Sequence, residues 1–335
     1  MTADTPTPST ATASSPPAIA AVATATGAAL QADTPRALAA LRGISASEFA
    51  GTHAAFRAAM LERFASGAGD DIPTGLANPF ARSILATYRA YWRAALANPA
   101  RRANEEAKLF GDLEALTQHR GMTDFDALEP VLRERLRLDG LYSLQGLTGP
   151  LRELMLWTRE DAREYRVALP GGEHTTTVHL LDGFSSLGWA DYATCGRRGA
   201  GGWATPGALY AVVPRYPSLD SEEFRVTFLG HETQHFADLV RFPGVPQWEL
   251  EYRAKLVELA QANTTRARVL RKFSEDQGDD PASPHAYANK RVLAALRLRL
   301  GLPEGADLDG VDAARLQTEA ATELRQDTLR REGTR

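Results

Sequence analysis

Apolar residues recur at three- and four-residue steps through much of the first half of the chain. Phe56, Met60 and Phe64 form one such stripe, and the same spacing continues through residues 146–163. This spacing places apolar side chains along one face of a helix. The sequence therefore predicts a helical region over residues 35–164.

The pattern changes at Tyr165. Three short runs rich in β-branched or aromatic residues follow, and glycine or proline separates them. Such runs are typical of strands, and they lie at residues 165–169, 174–181 and 207–213. Helical spacing returns at Ser221 and lasts to the end of the chain, with loops near 242–247, 274–284 and 301–309. The predicted fold class is α+β, predominantly helical, with a small sheet preceding one helix.

Residues 1–34 are almost entirely Ala, Thr, Ser and Pro, with Asp4 and Asp33 as the charges. A segment of this composition buries too little apolar surface to offset its ordering entropy, so we predict a disordered tail. Export through the weakly apolar run at 18–30 is the alternative, but no basic residue precedes that run. We therefore favour a cytoplasmic location. The predicted organisation has three parts: a disordered tail at 1–34, a helical region at 35–164, and a region at 165–335 that contains the sheet and the C-terminal helices.

Charge and cysteine content exclude several classes of protein. The 335 residues carry 38 basic and 42 acidic side chains, for a net charge of -4, which disfavours nucleic-acid binding through bulk charge. The single cysteine, Cys195, excludes an internal disulfide framework and a cysteine-based zinc module. No stretch of 18 or more strongly apolar residues lacks charges, so we expect no membrane-spanning helix. Nothing in the sequence indicates an oligomeric state.

One motif carries chemistry, the pentapeptide His231-Glu232-Thr233-Gln234-His235. Histidines four apart on a helix lie one turn apart, so both imidazoles can reach a single Zn²⁺. Glu232 then projects beside them, where it can act as general base toward a water molecule. The alternative is a chance occurrence of the motif on an exposed helix. Among random chains of this length and composition, about one in a hundred contains HExxH.

A catalytic zinc site needs a third protein ligand. Asp238 and Arg241 stand where the metzincin arrangement has glycine and histidine, so that class is excluded. The remaining choice is a glutamate on the next helix, with Glu249, Glu251 and Glu258 as candidates. The helix that carries the motif should end near Arg241, and the next helix should begin at Pro246-Gln247 and run antiparallel to it. Glu251 then lies at the depth of His235, and Glu258 is the second choice.

The sequence resembles gluzincin-type zinc metallopeptidases over about residues 165–300. The resemblance rests on the HExxH motif and on Glu251-Tyr252-Arg253-Ala254, which is similar to the Glu-aromatic-x-Ala pattern around the third ligand. It implies a zinc peptidase with a peptide or protein substrate, in which the segment 207–213 is the edge strand that binds the substrate. Two departures are the short interval from His235 to Glu251 and Lys255, which replaces an aspartate that orients a ligand histidine.

A catalytic zinc site also needs side chains that orient its ligands and stabilise the oxyanion. A ligand histidine needs a hydrogen-bond acceptor, which Asp238 or Glu258 can supply. The resemblance implies an oxyanion donor downstream of the third ligand, and His285 and Tyr287 fit this description, with a plain helix start as the alternative. We expect the other candidates to be structural: His174 and His179 point to opposite faces of one strand, Cys195 is more simply an inert residue, and His53 and His119 lie singly on helices.

The predicted function is therefore that of a zinc-dependent metallohydrolase, most simply a peptidase. His231, His235 and Glu251 would hold Zn²⁺, and Glu232 would activate the attacking water. The alternative belongs to another class, a helical binding or scaffold protein with a structural or vestigial metal site.

Overall fold

The computed structural model describes residues 13–66, 72–118 and 120–333. The mostly helical α+β class is confirmed, with 59% of the chain in helices and 14% in two small sheets. The chain divides into two compact units. The first comprises residues 13–159 and 183–200 within the described ranges, and the second comprises 160–182 and 201–333. The division predicted from the sequence lies at 164/165.

The first unit is helical apart from one small sheet. Its elements are α1 (Pro16–Leu30), α2 (Thr34–Arg42), α3 (Gly51–Ala65), α4 (Pro79–Ala97), α5 (Arg102–Thr117), α6 (Phe125–Leu138), β1 (Tyr142–Thr148), β2 (Leu151–Trp157), β5 (Ser186–Leu187) and α7 (Trp189–Ala193). In the sheet β1 pairs antiparallel with β2, and β2 pairs antiparallel with β5. Most of the buried apolar residues form one core that includes Tyr88, Trp92 and Leu132.

Two sequence predictions are wrong in this unit. Residues 16–30 form helix α1, capped by Ser15 and buried along its alanine face, whereas a disordered tail over 1–34 was expected. Residues 1–12 of that tail lie outside the described residues. Small side chains bury little area each, but a close helix contact can still exclude water from them. Residues 146–163, expected to be helical, form strands, with a hairpin turn between Thr148 and Leu151.

The second unit places a small sheet before a bundle of helices. Its strand order is β3-β4-β7-β6, with β4 and β7 parallel and β6 antiparallel to β7. The three predicted strands fall within β3, β4 and the segment around β7, and the predicted loops separate the helices. The elements are β3 (Arg159–Leu169), β4 (Gly172–Asp182), β6 (Gly202–Ala204), β7 (Leu209–Val212), α8 (Glu222–Phe224), α9 (His231–Arg241), α10 (Gln247–Gln261), α11 (Arg266–Glu275), α12 (Pro284–Leu300) and α13 (Ala313–Gly333).

The expected edge strand is not at the edge. Strand β7 lies between β4 and β6, so β6 is the outer strand on that side of the described sheet. Gly202 makes this possible, because a Cβ there would come within 2.3 Å of the Tyr210 carbonyl oxygen and 2.4 Å of the Phe228 ring. The strand that covers β7 therefore depends on a residue without a side chain.

Helix α10 is the central helix of the second unit. It packs against α9, α12 and α13, and every residue from Leu250 to Leu259 is buried. Four of these residues carry charges, namely Glu251, Arg253, Lys255 and Glu258. Buried charges are tolerated when they are paired or bind a metal, so the surroundings of these four residues locate the chemistry of the unit.

None of the helices described by the structure combines the length and apolarity that a membrane span requires.

Candidate metal centre

The motif opens helix α9, which is held close to α10. Ser221 caps the preceding segment, its Oγ accepting a hydrogen bond from the Phe224 backbone N–H at 3.3 Å. Residues Arg225–Gly230 are π-helical, a rare conformation that recurs at functional sites. At Gly230 a Cβ would come within 3.0 Å of the Gln261 side chain. Glycine therefore allows the start of α9 to approach α10 closely.

The structure brings His231, His235 and Glu251 together. The two Nε2 atoms lie 3.0 Å apart. Glu251 Oε2 is 3.6 Å from His231 Nε2, and Glu251 Oε1 is 3.5 Å from His235 Nε2. All three residues are buried, and no other set of His, Cys, Asp and Glu in the described ranges converges in this way. The antiparallel pairing of two helices inferred from the sequence thus places Glu251 beside the histidines.

These separations suit a small tetrahedral cation. Zinc bonds of 2.0–2.1 Å to nitrogen and oxygen require neighbouring ligand atoms to be about 3.3 Å apart. The observed separations of 3.0, 3.5 and 3.6 Å bracket this value. Two imidazole nitrogens and one carboxylate oxygen are also a donor set typical of zinc. The donor chemistry and the geometry of the three side chains therefore both fit Zn²⁺.

Glu258 orients His231. Its Oε1 lies 2.7 Å from His231 Nδ1, and both residues are buried. A carboxylate at this position accepts a hydrogen bond from Nδ1–H, which directs Nε2 toward His235 and Glu251. Of the two acceptors proposed from the sequence, Glu258 takes this role, because Asp238 instead accepts a hydrogen bond from Arg253 at 2.8 Å.

One unsatisfied polar atom accompanies the ligand group. His235 Nδ1 is buried without a hydrogen-bond partner among the described residues. Buried polar atoms are normally paired, and exceptions often mark functional sites. Glu251 Oε2, by contrast, has two close neighbours, His285 Nδ1 at 2.8 Å and Lys255 Nζ at 3.4 Å. The hydrogen bonds of the centre are therefore incomplete at His235.

The charges of the centre are strongly coupled. Burial lowers the pKa of His231, but contacts with Glu251 and Glu258 outweigh burial and raise that pKa to about 9. Burial raises the pKa of Glu251, while His231, His235 and His285 lower it further than burial raises it. A metal that binds at His231 must displace its Nε2 proton, so metal affinity should fall as the pH decreases.

Glu232 lies next to His231 on α9 and is partly exposed. Its negative charge acts on Tyr216: burial, and then the charge of Glu232, raises the pKa of that phenol. The Tyr216 hydroxyl donates to the Gly201 carbonyl at 2.9 Å, immediately before edge strand β6. No spacing rule links Tyr216 to the motif, so the sequence alone does not point to this residue.

The two proposed oxyanion donors have different surroundings. His285 is exposed over 67% of its side chain and reaches Glu251 from the start of α12. Tyr287 packs edge-on against Trp248, with ring centroids 5.0 Å apart, and its hydroxyl accepts a hydrogen bond from Arg291. The structure therefore brings His285, but not Tyr287, into contact with the ligand group.

The remaining candidates have other partners. Glu249 pairs with Arg331, His53 contacts Ser14 and His179 pairs with Glu160. His174 lines a cavity, and His119 lies outside the described residues. Cys195 contacts Met60, and burial raises the pKa of its thiol, which favours the inert role expected from the sequence.

The cavity that His174 lines has a volume of about 720 Å³ and borders another face of α9. Thr233, Phe236 and Val240 line it from the helix, and Leu329 lines it from α13. None of the three candidate ligands lines this cavity, nor does Glu232. It is therefore distinct from the candidate metal centre.

Comparison with protein-family models, with curated proteins and with solved structures finds no match for this chain.

Proposed function

We propose that this protein is a zinc-dependent metallohydrolase, and most specifically a peptidase. One observation carries the proposal: two histidine nitrogens and a glutamate carboxylate converge at 3.0–3.6 Å, with Glu232 beside them on the same helix. The first histidine is oriented by a buried carboxylate, as is usual for metal-binding histidines.

The number of ligands favours catalysis over a structural role. Structural zinc sites use four protein ligands, whereas catalytic sites use three and keep the fourth position for water or substrate. The described residues offer three converging side chains, His231, His235 and Glu251. The contact of His285 with Glu251 and its large exposure also support access from solvent.

In the proposed reaction, zinc supplies a Lewis acid that polarises the substrate carbonyl and makes water more acidic. Glu232 accepts a proton from the attacking water, whose oxygen forms a bond to the carbonyl carbon. His285 donates a hydrogen bond to the oxygen that gains negative charge. The carbon–nitrogen bond then breaks, and Glu232 returns its proton to the departing amine. Atoms and charge therefore balance as an amide plus water giving an acid and an amine.

The second candidate is a helical binding protein in which the metal site is structural. The buried ion pairs of α10 favour it, because they stabilise the same helices that hold the candidate ligands. The two candidates differ in whether Glu232 matters, since a structural site needs the ligands but no general base.

The decisive experiment measures zinc content and peptide hydrolysis together. Purified protein should contain about one zinc per chain, and His231→Ala or His235→Ala should remove it. Glu232→Gln should retain zinc and lose about 100- to 10,000-fold in the rate of hydrolysis of a mixed peptide library, because an amide accepts the proton poorly. Glu223→Gln, which removes a partly exposed carboxylate paired with Arg268, is the matched control and should retain both properties. Protein that takes up no zinc when zinc is supplied contradicts the proposal, and zinc-bound protein without activity favours the second candidate.

A further inference from the structure

Lys255 is a buried cation beside a candidate metal ligand. It lies one turn after Glu251 on α10, its Nζ is 3.4 Å from Glu251 Oε2, and its side chain is 2% exposed. The ammonium also lies 5.0 Å from the centre of the Phe273 ring. An ammonium is strongly hydrated, and taking it out of water costs several kcal/mol unless other charges compensate. Its position therefore needs an electrostatic reason.

Two buried carboxylates supply that reason. Glu251, Lys255 and Glu258 follow one another at i, i+4 and i+7, so they share one face of α10. Both glutamates are buried, and the charge of Lys255 contributes to the lowered pKa of Glu258. Without a metal, Lys255 and the histidines are the groups of the centre that can offset these two negative charges. Lys255 therefore stabilises the arrangement of the metal-free centre.

When a divalent cation is bound, the charge of Lys255 destabilises the centre instead of stabilising it. The metal would lie within bonding distance of Glu251, and the Lys255 ammonium is in contact with the same carboxylate. Two positive charges at such a separation repel each other by an appreciable amount in a poorly solvated site. A residue that stabilises the metal-free state more than the metal-bound state lowers the affinity for the metal.

We propose that Lys255 is a built-in counter-ion that keeps Glu251 in place in the metal-free protein and sets the metal affinity by competing electrostatically with the cation. This role rests on the proposed function, because it presupposes that Glu251 binds a metal. It differs from the positioning role of Glu258, since loss of a residue that only positions a ligand weakens metal binding, whereas loss of this counter-ion strengthens it.

The test compares the zinc affinity of the full chain and its variants by competition with a chelator. Lys255→Met, which keeps an unbranched side chain one atom shorter and removes its charge, should bind zinc about tenfold more tightly. The midpoint of thermal unfolding of this variant should fall without zinc, and zinc should raise that midpoint by more than it does in the wild type. Lys255→Arg keeps the charge and should retain the wild-type affinity.

Lys272→Met is the matched control. Lys272 is exposed on α11, and its charge also contributes to the lowered pKa of Glu258. Because solvent screens this lysine, its removal should change the zinc affinity by less than about twofold. A general effect of net charge would instead act alike on both variants.

The outcomes are distinguishable. A wild-type chain that binds no zinc overturns both the proposed function and the counter-ion role. A wild-type chain that binds zinc, with Lys255→Met binding equally or more weakly, overturns the counter-ion role alone. If Lys255→Met folds only with zinc, the counter-ion role is supported, because the metal then replaces the missing charge. If it does not fold at all, Lys255→Gln takes its place, with the same gain in affinity expected.

Discussion

The two charged faces of helix α10 differ in how completely their polar groups are paired by hydrogen bonds and salt bridges. On one face the buried guanidinium of Arg253 donates to Asp238 at 2.8 Å, to Asp327 at 2.6 Å and to Thr328 at 3.0 Å. Burial raises the pKa of Asp327, but Arg331 and Arg253 lower it further. This face is an ion-pair network in which every charged group has a partner.

The other face of α10 meets the motif helix and is incomplete. Its carboxylate Glu251 faces two imidazole nitrogens at 3.5 and 3.6 Å, distances too long for strong hydrogen bonds. His235 Nδ1 has no hydrogen-bond partner among the described residues, and Glu251 Oε2 is approached by His285 Nδ1 of helix α12 at 2.8 Å.

The difference between the faces separates a structural cluster from a candidate metal centre. A network that stabilises helix packing uses its lone pairs on its own donors, whereas a metal centre must direct lone pairs toward a common point. Both clusters are buried and charged, so burial and charge do not distinguish them. The geometry of the donors and acceptors does.

The largest expected effect is the loss of zinc when Glu251, on the face of α10 that meets the motif helix, is replaced. Glu251→Gln replaces an anionic ligand with a neutral amide, so zinc affinity should fall by more than the roughly 100-fold limit typical of residues that orient a ligand. Competition with a chelator measures this fall. Glu249→Gln is the control, because Glu249 pairs with Arg331 away from the histidines. Retention of zinc by Glu251→Gln, together with its loss in Glu258→Gln, would move the third ligand two turns along α10.

The next largest effect is a loss of stability when the ion-pair network around Arg253 is broken. Arg253→Met leaves two carboxylates without their buried partner, so the free energy of unfolding should fall by about 3–5 kcal/mol. Urea unfolding measures this change. The zinc affinity of the folded variant should stay within about threefold of the wild type, because the two faces share no partner.

Arg241→Met provides the contrast for that variant. Arg241 pairs with Glu332 at the surface, and exposed ion pairs contribute about 0–1 kcal/mol. A loss of zinc binding in Arg253→Met comparable to that in Glu251→Gln would show that the faces act as one unit, contrary to the comparison.

A smaller effect concerns the orientation of His231. Glu258→Gln keeps an oxygen that can accept a hydrogen bond from Nδ1–H but removes the negative charge, so zinc affinity should fall by at most about 10- to 100-fold. The same chelator competition measures it, with the exposed Glu275→Gln as the control. An unchanged affinity would mean that the contact of 2.7 Å between Glu258 and His231 has no influence on the metal.

The smallest effect is the dependence of stability on pH that Glu222 contributes, and this residue lies on neither face of α10. Partial burial raises the pKa of Glu222, but hydrogen bonds from Thr265, Thr264 and Asn263 outweigh burial and lower that pKa to about 2. Because the pKa is lower in the folded state, the stabilisation is present above the unfolded value of 4.5 and is lost as the pH falls toward 2. Glu222→Gln should therefore destabilise the protein at pH 7 by about 1 kcal/mol and less at pH 3.

Urea unfolding at the two pH values measures this difference. Glu223→Gln, which removes the neighbouring carboxylate paired with Arg268 and leaves the hydrogen bonds of Glu222 in place, is the control for the change in net charge. An equal loss of stability at pH 3 and pH 7 for Glu222→Gln would contradict the assignment.

Local patterns predicted the elements of the site. The motif helix ends at Arg241 and the next helix begins at Gln247, as the sequence predicts. Caps, proline and the sign of φ act within a few residues, and Gly244 has a φ of +82°. The depth of Glu251 in its helix then follows from counting residues along two antiparallel helices.

The same local rules failed where a pattern allows two structures. Leu144, Leu147, Leu151 and Leu154 are spaced as on one face of a helix, yet they lie in the hairpin of β1 and β2. Strand pairing with a partner decided this segment. In α1 the alanine-rich composition suggested disorder, but burial against other helices of the first unit stabilises the helix.

The sequence by itself determined the chemistry that is available: two histidines one turn apart, a neighbouring carboxylate and a third glutamate in the following helix. The tertiary structure alone decided which partners these groups have. Glu258 faces His231, Lys255 contacts Glu251, and His285 reaches Glu251 from another helix. Periodicity locates residues on the face of their own helix, whereas contacts between helices depend on crossing angles and packing distances that the whole core sets together.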